Sequence, residues 1–575
     1  MVKSVASSES FEELSSSEWF YRNRDIAGFT NPARALYSTA REFVENSLDA
    51  CEVAQIPLKL VLSITRVEEK PANESREETL QVHIEDNASG IARDNMANAF
   101  GRVLVSTKYR LRQQRGMFGL GGKMALLFSQ SMTHHHFTVK SSIGGRHPII
   151  EYDMMIDIEK NEPKILKRRR HPNNNRWHGT IIDLTTRGDW GHAKAKIMEY
   201  LSKTAIASPY AEITFTDPDG TTTKLEPATQ EMPPPPIVSK PHPVGLDLEA
   251  LRRLTTSTKT TRLDAFMCSH FQRVGPVTAK RVLQFANINP RKDPSKMSTE
   301  ELLQLSKAMN SYDGFKAPDA SCLSPIGKKQ LEAGIKKHLD PDFVSVVSRR
   351  PSSYSGFPFI VEVAIAYGGG ISPANSDKMP IMRFANKIPL LFDEGGDVAR
   401  EAVDEVNWRL YHVQPAMQIL VITSMVSTRI PWRSAGKEMV ADRPEILKEL
   451  VNALRECARN LGLFLSKREK IAHEQKRLGI FENYLPRLAR FSTDLAGKEK
   501  QPDIKPLLHQ AVKYINLGGG GEDVKHPGTD PEKSHPVPGD GKHDEPEQEK
   551  SPPAQKESKP HHSGGVVKDL ERRSE

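Results

Sequence analysis

The chain has 575 residues, more than one hydrophobic core usually serves, so we expect several domains. No apolar run approaches the roughly 20 residues of a membrane-spanning helix, and residues 1–18 are rich in Ser and Glu rather than built like a secretion signal, so we expect the protein to stay inside the cell. The excess of 81 Lys and Arg over 73 Asp and Glu gives a net charge of +8, compatible with a polyanionic partner but not diagnostic of one.

The first predicted element is a long amphipathic helix from Asn31-Pro32 to about Val53. Proline is favourable at the first helical position, because the N–H that it lacks would have no partner there. The apolar stripe of this helix consists of Ala35, Leu36, Phe43 and Leu48.

Polar residues occupy another face of the same helix. The four-residue spacing places Glu45 and Asp49 together, with Asn46 beside them. Two carboxylates and a carboxamide can orient a water and hold a hard cation, and Mg²⁺ is the expected one beside phosphates. A solvated acidic helix face is the alternative.

A half-buried strand is predicted to end at Asp86, because Leu80, Val82 and Ile84 alternate with polar residues. A carboxylate delivered to an apolar pocket needs a hydrogen-bond donor, such as the exocyclic amine of adenine. An ordinary Asp-Asn turn before Gly90 is the alternative.

Residues 116–123, with the sequence GMFGLGGK, combine four glycines with a lysine. Such a loop lets backbone N–H groups approach an anion closely. The apolar residues 124–128 predict a helix whose N-terminus faces the loop, which is the usual polarity for phosphate binding. The spacing matches neither the P-loop nor the dinucleotide fingerprint, and a glycine-rich surface loop is the alternative.

No metal site or disulfide framework is predicted from Cys and His. His134, His135 and His136 are adjacent, and neighbouring strand residues point to opposite faces, so we expect a solvated strand end. The four cysteines lie far apart without a C-x-x-C pair: Cys51, Cys268, Cys322 and Cys457.

Taken together, residues 45–50, 86–90 and 116–123 resemble the N, G1 and G2 boxes of the GHKL ATPases, and Gly179-Thr180 resembles their Gly-Thr element beside adenine. The resemblance implies a Bergerat-type α/β sandwich with Glu45 as general base, Asn46 as Mg²⁺ ligand and Asp86 as the residue that recognises adenine. The other implied ATP contacts are Asp49, Gly90, Gly116, Met117, Phe118, Gly119, Leu120, Gly121, Gly122, Lys123 and Thr180.

The amino-acid sequence around these segments favours one branch of the superfamily. Residues 98–104 (NAFGRVL), 106–109 (STKY) and 115–121 (RGMFGLG) resemble the B-subunit family of DNA topoisomerase VI. The G-F-R-G-E-A-L-like box expected of MutL proteins is absent. The resemblance implies that Thr107 and Lys108 reach the nucleotide from a lid.

A basic run at residues 164–170 precedes an Asn-rich turn. It has three interpretations: a DNA contact, a localisation signal, or a solvated loop, which we favour. The prolines at 233–236 predict a stiff linker that ends the ATPase domain. The following helical segments, with a capping box at Ser298 and Glu301, resemble the helix-two-turns-helix domain of the same family.

Long strands are predicted at residues 359–367, 381–392 and 417–425, in a region that resembles the transducer domain of this family. Residues 428–437 resemble its switch-lysine loop, which implies that Lys437 contacts the γ-phosphate and shares the catalytic site with Glu45. Without the resemblance, Lys437 is an ordinary loop lysine.

A long helix is predicted from Pro444 to about Arg477, either leading to a partner protein or packed on its own sheet. Beyond residue 517, the Gly-, Pro-, Lys-, Glu- and His-rich composition predicts disorder. The fold class is thus an α+β multidomain protein. Its predicted parts are an ATPase domain (1–228), a helix-two-turns-helix domain (229–312), a transducer (313–480), a helical extension (481–517) and a disordered tail (518–575).

The resemblance implies the ATP-hydrolysing B subunit of a type IIB DNA topoisomerase, with ATP and Mg²⁺ as cofactors. Its implied partners are double-stranded DNA, the A subunit in an A2B2 heterotetramer, and a second B protomer that exchanges residues 19–29. We expect a nucleoid-associated protein in an archaeon or bacterium and a nuclear one in a eukaryote, without a membrane partner. The alternatives are an ATP-gated clamp of MutL or chaperone type and a scaffold without hydrolysis.

Overall fold

The computed structural model describes residues 13–67, 76–116, 119–374, 377–433, 436–507 and 509, with the backbone alone at residues 26 and 27. The chain forms two units that divide between Phe481 and Glu482, and the architecture below belongs to the first, except for the C-terminal residues of the last helix. The predicted disorder of residues 518–575 lies outside the described residues.

The N-terminal part is a two-layer sandwich of helices on an eight-stranded sheet of order β5-β4-β3-β6-β2-β1-β7-β8. All neighbouring strands are antiparallel except β1 and β7. Helix α2 packs against α4, α5 and the sheet. The elements are α1 Ser16–Arg22, α2 Pro32–Ala54, β1 Lys59–Arg66, β2 Glu78–Asp86, α3 Arg93–Gly101, α4 Gly121–Thr133, β3 Phe137–Ile143, β4 Ile149–Asp157, β5 Glu162–His171, β6 His178–Gly188, α5 Trp190–Ala207, β7 Glu212–Thr216 and β8 Thr222–Leu225.

The local signals in this part act as predicted. The Asn31 side chain caps α2 by accepting from the Arg34 backbone N–H, and Pro32 occupies the first helical position. Strand β2 buries alternate residues and ends on Asp86, which is buried. Residues 134–136 are exposed and directly precede β3, as expected of a solvated strand end.

The expectation of a solvated loop at residues 164–170 is wrong. These residues lie in β5, the edge strand of the sheet, paired with β4. Its charged residues at positions 164, 167, 168 and 170 are exposed, and charges on an edge strand disfavour pairing with another chain.

A helical module follows the extended Pro-rich segment and has its own hydrophobic core. The Ser298 and Glu301 side chains form the predicted capping box. The helices are α6 Leu248–Ser257, α7 Leu263–His270, α8 Pro276–Phe285 and α9 Thr299–Ser311.

A second sheet has the order β10-β11-β14-β12-β13, with β9 also paired to β11. The single strand predicted at residues 381–392 is instead two short strands joined by a tight turn at Asn386 and Lys387, where φ is 47° and 66°. The elements are α10 Lys328–Leu339, β9 Phe343–Ser348, β10 Ser352–Tyr354, β11 Phe357–Tyr367, β12 Ile381–Ala385, β13 Ile388–Leu390, α11 Val398–Glu405, β14 Ile419–Ser427 and α12 Pro444–Leu495.

Helix α12 continues beyond the predicted end near Arg477 to Leu495. None of the helices in the described part of the chain is both long enough and apolar enough to cross a membrane. Single 3-10 turns occur at Arg24–Ala27, Thr107–Tyr109, Pro294–Lys296, Glu394–Gly396 and Trp408–Tyr411. The α+β class expected from the sequence is confirmed.

Candidate nucleotide-binding site

A cavity of about 780 Å³ opens beside α2, the end of β2 and the start of α4. Of the residues predicted to bind nucleotide, Met117 and Phe118 lie outside the described residues. The other predicted residues all line the cavity: Asn46, Asp49, Asp86, Gly90, Thr107, Lys108, Gly116, Gly119, Leu120, Gly121, Gly122, Lys123, Thr180 and Lys437. The three sequence segments therefore meet at one place.

One end of the cavity presents the Asp86 carboxylate. Its Oδ2 accepts from the Ser47 hydroxyl at 2.7 Å, and its Oδ1 accepts from the backbone N–H groups of Ala88 at 3.0 Å and Thr180 at 3.1 Å. Burial raises the pKa of Asp86, and these three donors oppose that shift. The neighbouring Gly179, at φ 142°, leaves no room for a Cβ against the Asp86 backbone carbonyl. The carboxylate is therefore held in one orientation facing the cavity.

Replacing Asp86 by Asn is expected to weaken ATP binding by about 10- to 100-fold. The hydrogen bond to a charged group is lost, and the amide NH2 of Asn can face the exocyclic amine of adenine, so that two donors meet. The measurement is the ATP dissociation constant without turnover. The matched control is Asp183→Asn on the adjacent strand, where the carboxylate is bonded to His83 at 2.7 Å and lies outside the cavity lining. Equal losses in the two variants would contradict adenine recognition by Asp86.

The other end of the cavity is positively charged. Helix α4 begins at Gly121, so its N-terminal N–H groups face the glycine-rich loop. The Lys123 ammonium donates to the backbone carbonyl of Val105, and burial together with the nearby Lys108 charge lowers the pKa of Lys123 to about 8. Lys123 is a buried cation that contacts no carboxylate among the described residues and lies beside a helix N-terminus, an arrangement that suits a phosphate group.

Nucleotide binding is expected to draw a proton onto Lys123 above pH 8. Phosphate oxygens favour the charged ammonium, so the pKa of Lys123 rises from about 8 when they bind. ATP affinity should therefore fall as pH increases through 8, by up to about tenfold per pH unit. Calorimetric titration at pH 8.5 in buffers of different ionisation enthalpy measures the uptake. Lys123→Met should abolish it, and equal uptake by both proteins would assign the proton elsewhere.

A pair of oxygens in the cavity already holds a positive charge. The Lys108 ammonium donates to Asn46 Oδ1 at 2.7 Å and to Asp49 Oδ2 at 2.9 Å. Burial opposes ionisation of Asp49, but Lys108 and Arg115 outweigh it and lower the pKa of Asp49 to about 2. Amide and carboxylate oxygens of this kind also fit Mg²⁺. No cluster of three His, Cys, Asp or Glu side chains suited to a metal occurs in the part of the chain that the structure describes.

Two carboxylates of α2 differ in their access to the cavity. Glu42 lines it, accepts from the Arg41 guanidinium at 2.9 Å and lies against Gly121, where a Cβ would collide with it. Glu45 is 1% exposed, is not among the lining residues, and its oxygens have no hydrogen-bond partner among the described residues. Glu45, the general base predicted from the sequence, therefore has less access to the cavity than Glu42, and its role stays a prediction.

The pKa values of the two carboxylates also shift in opposite directions. Burial disfavours the charged form of both, but Lys437 and Arg41 outweigh it at Glu42 and lower its pKa. At Glu45 burial prevails, helped by the neighbouring Glu42 charge, and the pKa rises. Glu42 is thus the carboxylate that opens to the cavity and whose pKa lies below its usual value.

Lys437 comes to this site from the second sheet. It follows β14 in a loop closed by a bridge between Trp432 and Val440, and its φ is 57°. Its ammonium lies 3.9 Å from Glu42 Oε1 and 3.7 Å from Glu45 Oε2, and the next residue, Glu438, pairs with Arg34 of α2. A lysine in the loop that follows the second sheet therefore lines the cavity of the N-terminal domain.

Sequence reasoning missed several residues that line the cavity, including Glu42, Ser47 and the pair Trp19-Phe20 of α1. A signal for Glu42 was present, because it precedes Asn46 by four residues and so shares its face of α2. Trp19 and Phe20 contact the cavity of their own chain, and their predicted exchange with a second protomer stays a prediction.

Comparison with known proteins agrees with this geometry. Residues 36–180 match the family model described as histidine kinase-, DNA gyrase B- and HSP90-like ATPase, and residues 318–477 match that of the topoisomerase VI B subunit transducer. The chain is 44% identical to the B subunit of type 2 DNA topoisomerase 6 from Pyrobaculum aerophilum, over 88% of this chain and 94% of that protein.

Two further relatives carry the same name. The one from Metallosphaera sedula is 39% identical over 89% of this chain and 97% of its own length. The one from Saccharolobus islandicus is 39% identical over 86% of this chain and 93% of its own length. The resemblance stated from the motifs is confirmed: this chain belongs to the topoisomerase VI B-subunit family of GHKL ATPases.

Proposed function

We propose that this chain is the ATP-binding and ATP-hydrolysing B subunit of a type IIB DNA topoisomerase. The observation that carries the proposal is the meeting, in one cavity, of the three nucleotide-binding segments with Lys437 from the transducer sheet. A lysine that senses the γ-phosphate from a second domain makes that domain's position depend on whether ATP or ADP is bound.

The residues take separate roles in this reaction. Asp86, held by Ser47 and Thr180, receives the adenine amine. Lys123 and the start of α4 bind the phosphates. Glu42 takes the proton of the attacking water, because it is ionised and faces the cavity. Lys437 stabilises the charge that develops on the transferred phosphate.

Mg²⁺ is part of the proposal, with Asn46 as its ligand. The amide oxygen of Asn46 is now bonded to the Lys108 ammonium, so the site accepts a cation there. Bound with ATP, the ion would neutralise charge on the phosphate oxygens. Lys108 would then be free to turn toward the phosphates from the lid.

The domain boundaries are proposed as predicted: 1–228, 229–312, 313–480, 481–517 and 518–575. In the assembly that we propose, two B protomers close on ATP and two A subunits cut one DNA duplex so that another can pass. The protein would then be found where its DNA is, in a nucleoid or a nucleus.

The test is relaxation of supercoiled plasmid by the full chain together with the A subunit of the same source. ATP-dependent relaxation is expected with both chains and with neither alone. ATP hydrolysis without relaxation, together with dimer closure on DNA, would instead identify a clamp of MutL or chaperone type.

A further inference from the structure

The turn between β12 and β13 reaches from the transducer sheet to the ATPase part of the chain. Its second residue, Lys387, is 1% exposed. The Lys387 ammonium donates to Glu52 Oε2 of α2 at 3.2 Å and to the Ser324 hydroxyl at 3.0 Å. This is a contact between the two sheets' domains that does not involve Lys437.

From Glu52 a chain of ion pairs continues to the lid. Glu52 Oε1 accepts from Arg115 Nη2 at 2.7 Å, and Arg115 donates through its backbone N–H and Nη1 to Asp49 Oδ1 at 3.1 and 3.2 Å. Asp49 Oδ2 in turn accepts from Lys108 at 2.9 Å. We name this series the ion-pair relay; its charges alternate in the order Lys387, Glu52, Arg115, Asp49 and Lys108.

The same turn also contacts the backbone that enters the glycine-rich loop. The Asn386 side chain donates to the Gln114 carbonyl at 3.1 Å and accepts from the Ser427 N–H at 2.9 Å. Gln114 directly precedes Arg115, and the N–H of Gly116 lies 3.5 Å from Asp49 Oδ2. The turn thus contacts the Arg115 guanidinium through Glu52, and it contacts the backbone beside Arg115 through Asn386.

The relay is costly to bury, which argues against a role in stability alone. The side chains of Lys387, Arg115 and Glu52 are exposed by only 1%, 2% and 5%. Replacing a buried ion pair by apolar groups of similar volume is often neutral or stabilising. Charges kept at this place are better explained by the geometry that they impose on Asp49 and Lys108.

We propose that Lys387 is a positioning residue for nucleotide binding, which acts through the ion-pair relay to orient Lys108 and the first residues of the glycine-rich loop. The proposal rests on the proposed function, in which this cavity binds ATP. The transducer then contacts the ATP site by two routes, with Lys437 inside the cavity and Lys387 behind the lid.

The experiment measures the ATP dissociation constant of the full chain carrying Lys387→Met, which keeps the side-chain length and removes the charge. Binding is expected to weaken about tenfold, within the roughly twofold to thirtyfold range of coupling through packed networks. The KM for ATP should rise more than kcat falls. A purely structural role predicts a lower melting temperature with unchanged ATP affinity, which would overturn the proposal.

A double-mutant cycle identifies the route. In a chain that already carries Lys108→Met, adding Lys387→Met should weaken ATP binding by less than about twofold, because the relay no longer ends on a charge. Full additivity of the two losses would overturn the proposal.

Two further variants keep the result interpretable. Arg400→Met removes an equally buried transducer cation, bonded to Met379, Glu394 and Asp404, and should leave ATP affinity unchanged.

Should Lys387→Met fail to fold, Asn386→Gly keeps the positive φ and should weaken ATP binding about threefold. Unchanged affinity in Asn386→Gly would overturn the proposal. A parent chain that binds no ATP would overturn the proposed function as well, whereas ATP binding insensitive to Lys387 overturns the relay alone.

Discussion

Glu42→Gln is expected to lower the rate of ATP hydrolysis by about 10²- to 10⁴-fold, the usual contribution of a general base, while ATP binding persists. Glu42 lines the cavity, its pKa is lowered by Lys437 and Arg41 against the effect of burial, and it adjoins the start of α4. Gln keeps the volume of the side chain and removes its basicity. The measurements are kcat from phosphate release and the ATP dissociation constant of the same protein.

Glu45→Gln is the matched comparison, since Glu45 is also a buried carboxylate of α2 but does not line the cavity. We expect it to reduce kcat much less than Glu42→Gln does. The reverse order, with turnover lost only in Glu45→Gln or Glu45→Ala, would restore the assignment made from the sequence. Loss of ATP binding in both variants would mean that these carboxylates support the fold of the site instead.

Lys437→Met is expected to lower kcat by about 10²- to 10³-fold, the typical cost of removing one group that stabilises developing charge. Lys437 lines the cavity, and its ammonium lies within 4 Å of both Glu42 and Glu45. Because it is proposed to meet the γ-phosphate, ATP affinity should fall while ADP affinity stays nearly the same. The ratio of the two affinities, measured without turnover, is the decisive quantity.

An exposed lysine on the adjacent helix, Lys448, offers the control for this variant. Lys448→Met should leave kcat and both affinities unchanged. Equal weakening of ATP and ADP by Lys437→Met would show a general electrostatic contribution, and would remove the basis for Lys437 as a nucleotide switch.

Contact with Arg41 distinguishes the two α2 carboxylates, because the Lys437 ammonium lies within 4 Å of both. Glu42 accepts a hydrogen bond from Arg41 at 2.9 Å, whereas Glu45 makes the longer contact, at 3.5 Å from Arg41 Nε. When the transducer moves and withdraws Lys437, the pKa of Glu42 should rise, because one of the charges that lower it leaves. The position of the transducer is thus linked to the pKa of Glu42, the proposed base.

The sequence by itself determined the local features of this protein. Asn31-Pro32 set the start of α2, the alternation before Asp86 set β2, and the glycines of residues 116–123 marked the loop before α4. Each depends on neighbouring residues and on backbone preferences that a short segment carries with it. The three motifs together were also enough to indicate the family, because their joint spacing is far more specific than any one of them.

Only the tertiary structure decided which side chains of these elements face the cavity. Glu42 and Glu45 belong to one helix and both lie within 4 Å of the Lys437 ammonium, but Glu42 lies against the start of α4 and lines the cavity, whereas Glu45 does not line it. The turn at Lys387 was predicted as the interior of one strand, and its burial against Glu52 joins residues 335 positions apart. Contacts over such distances follow from the packing of whole domains, which no local pattern in the chain records.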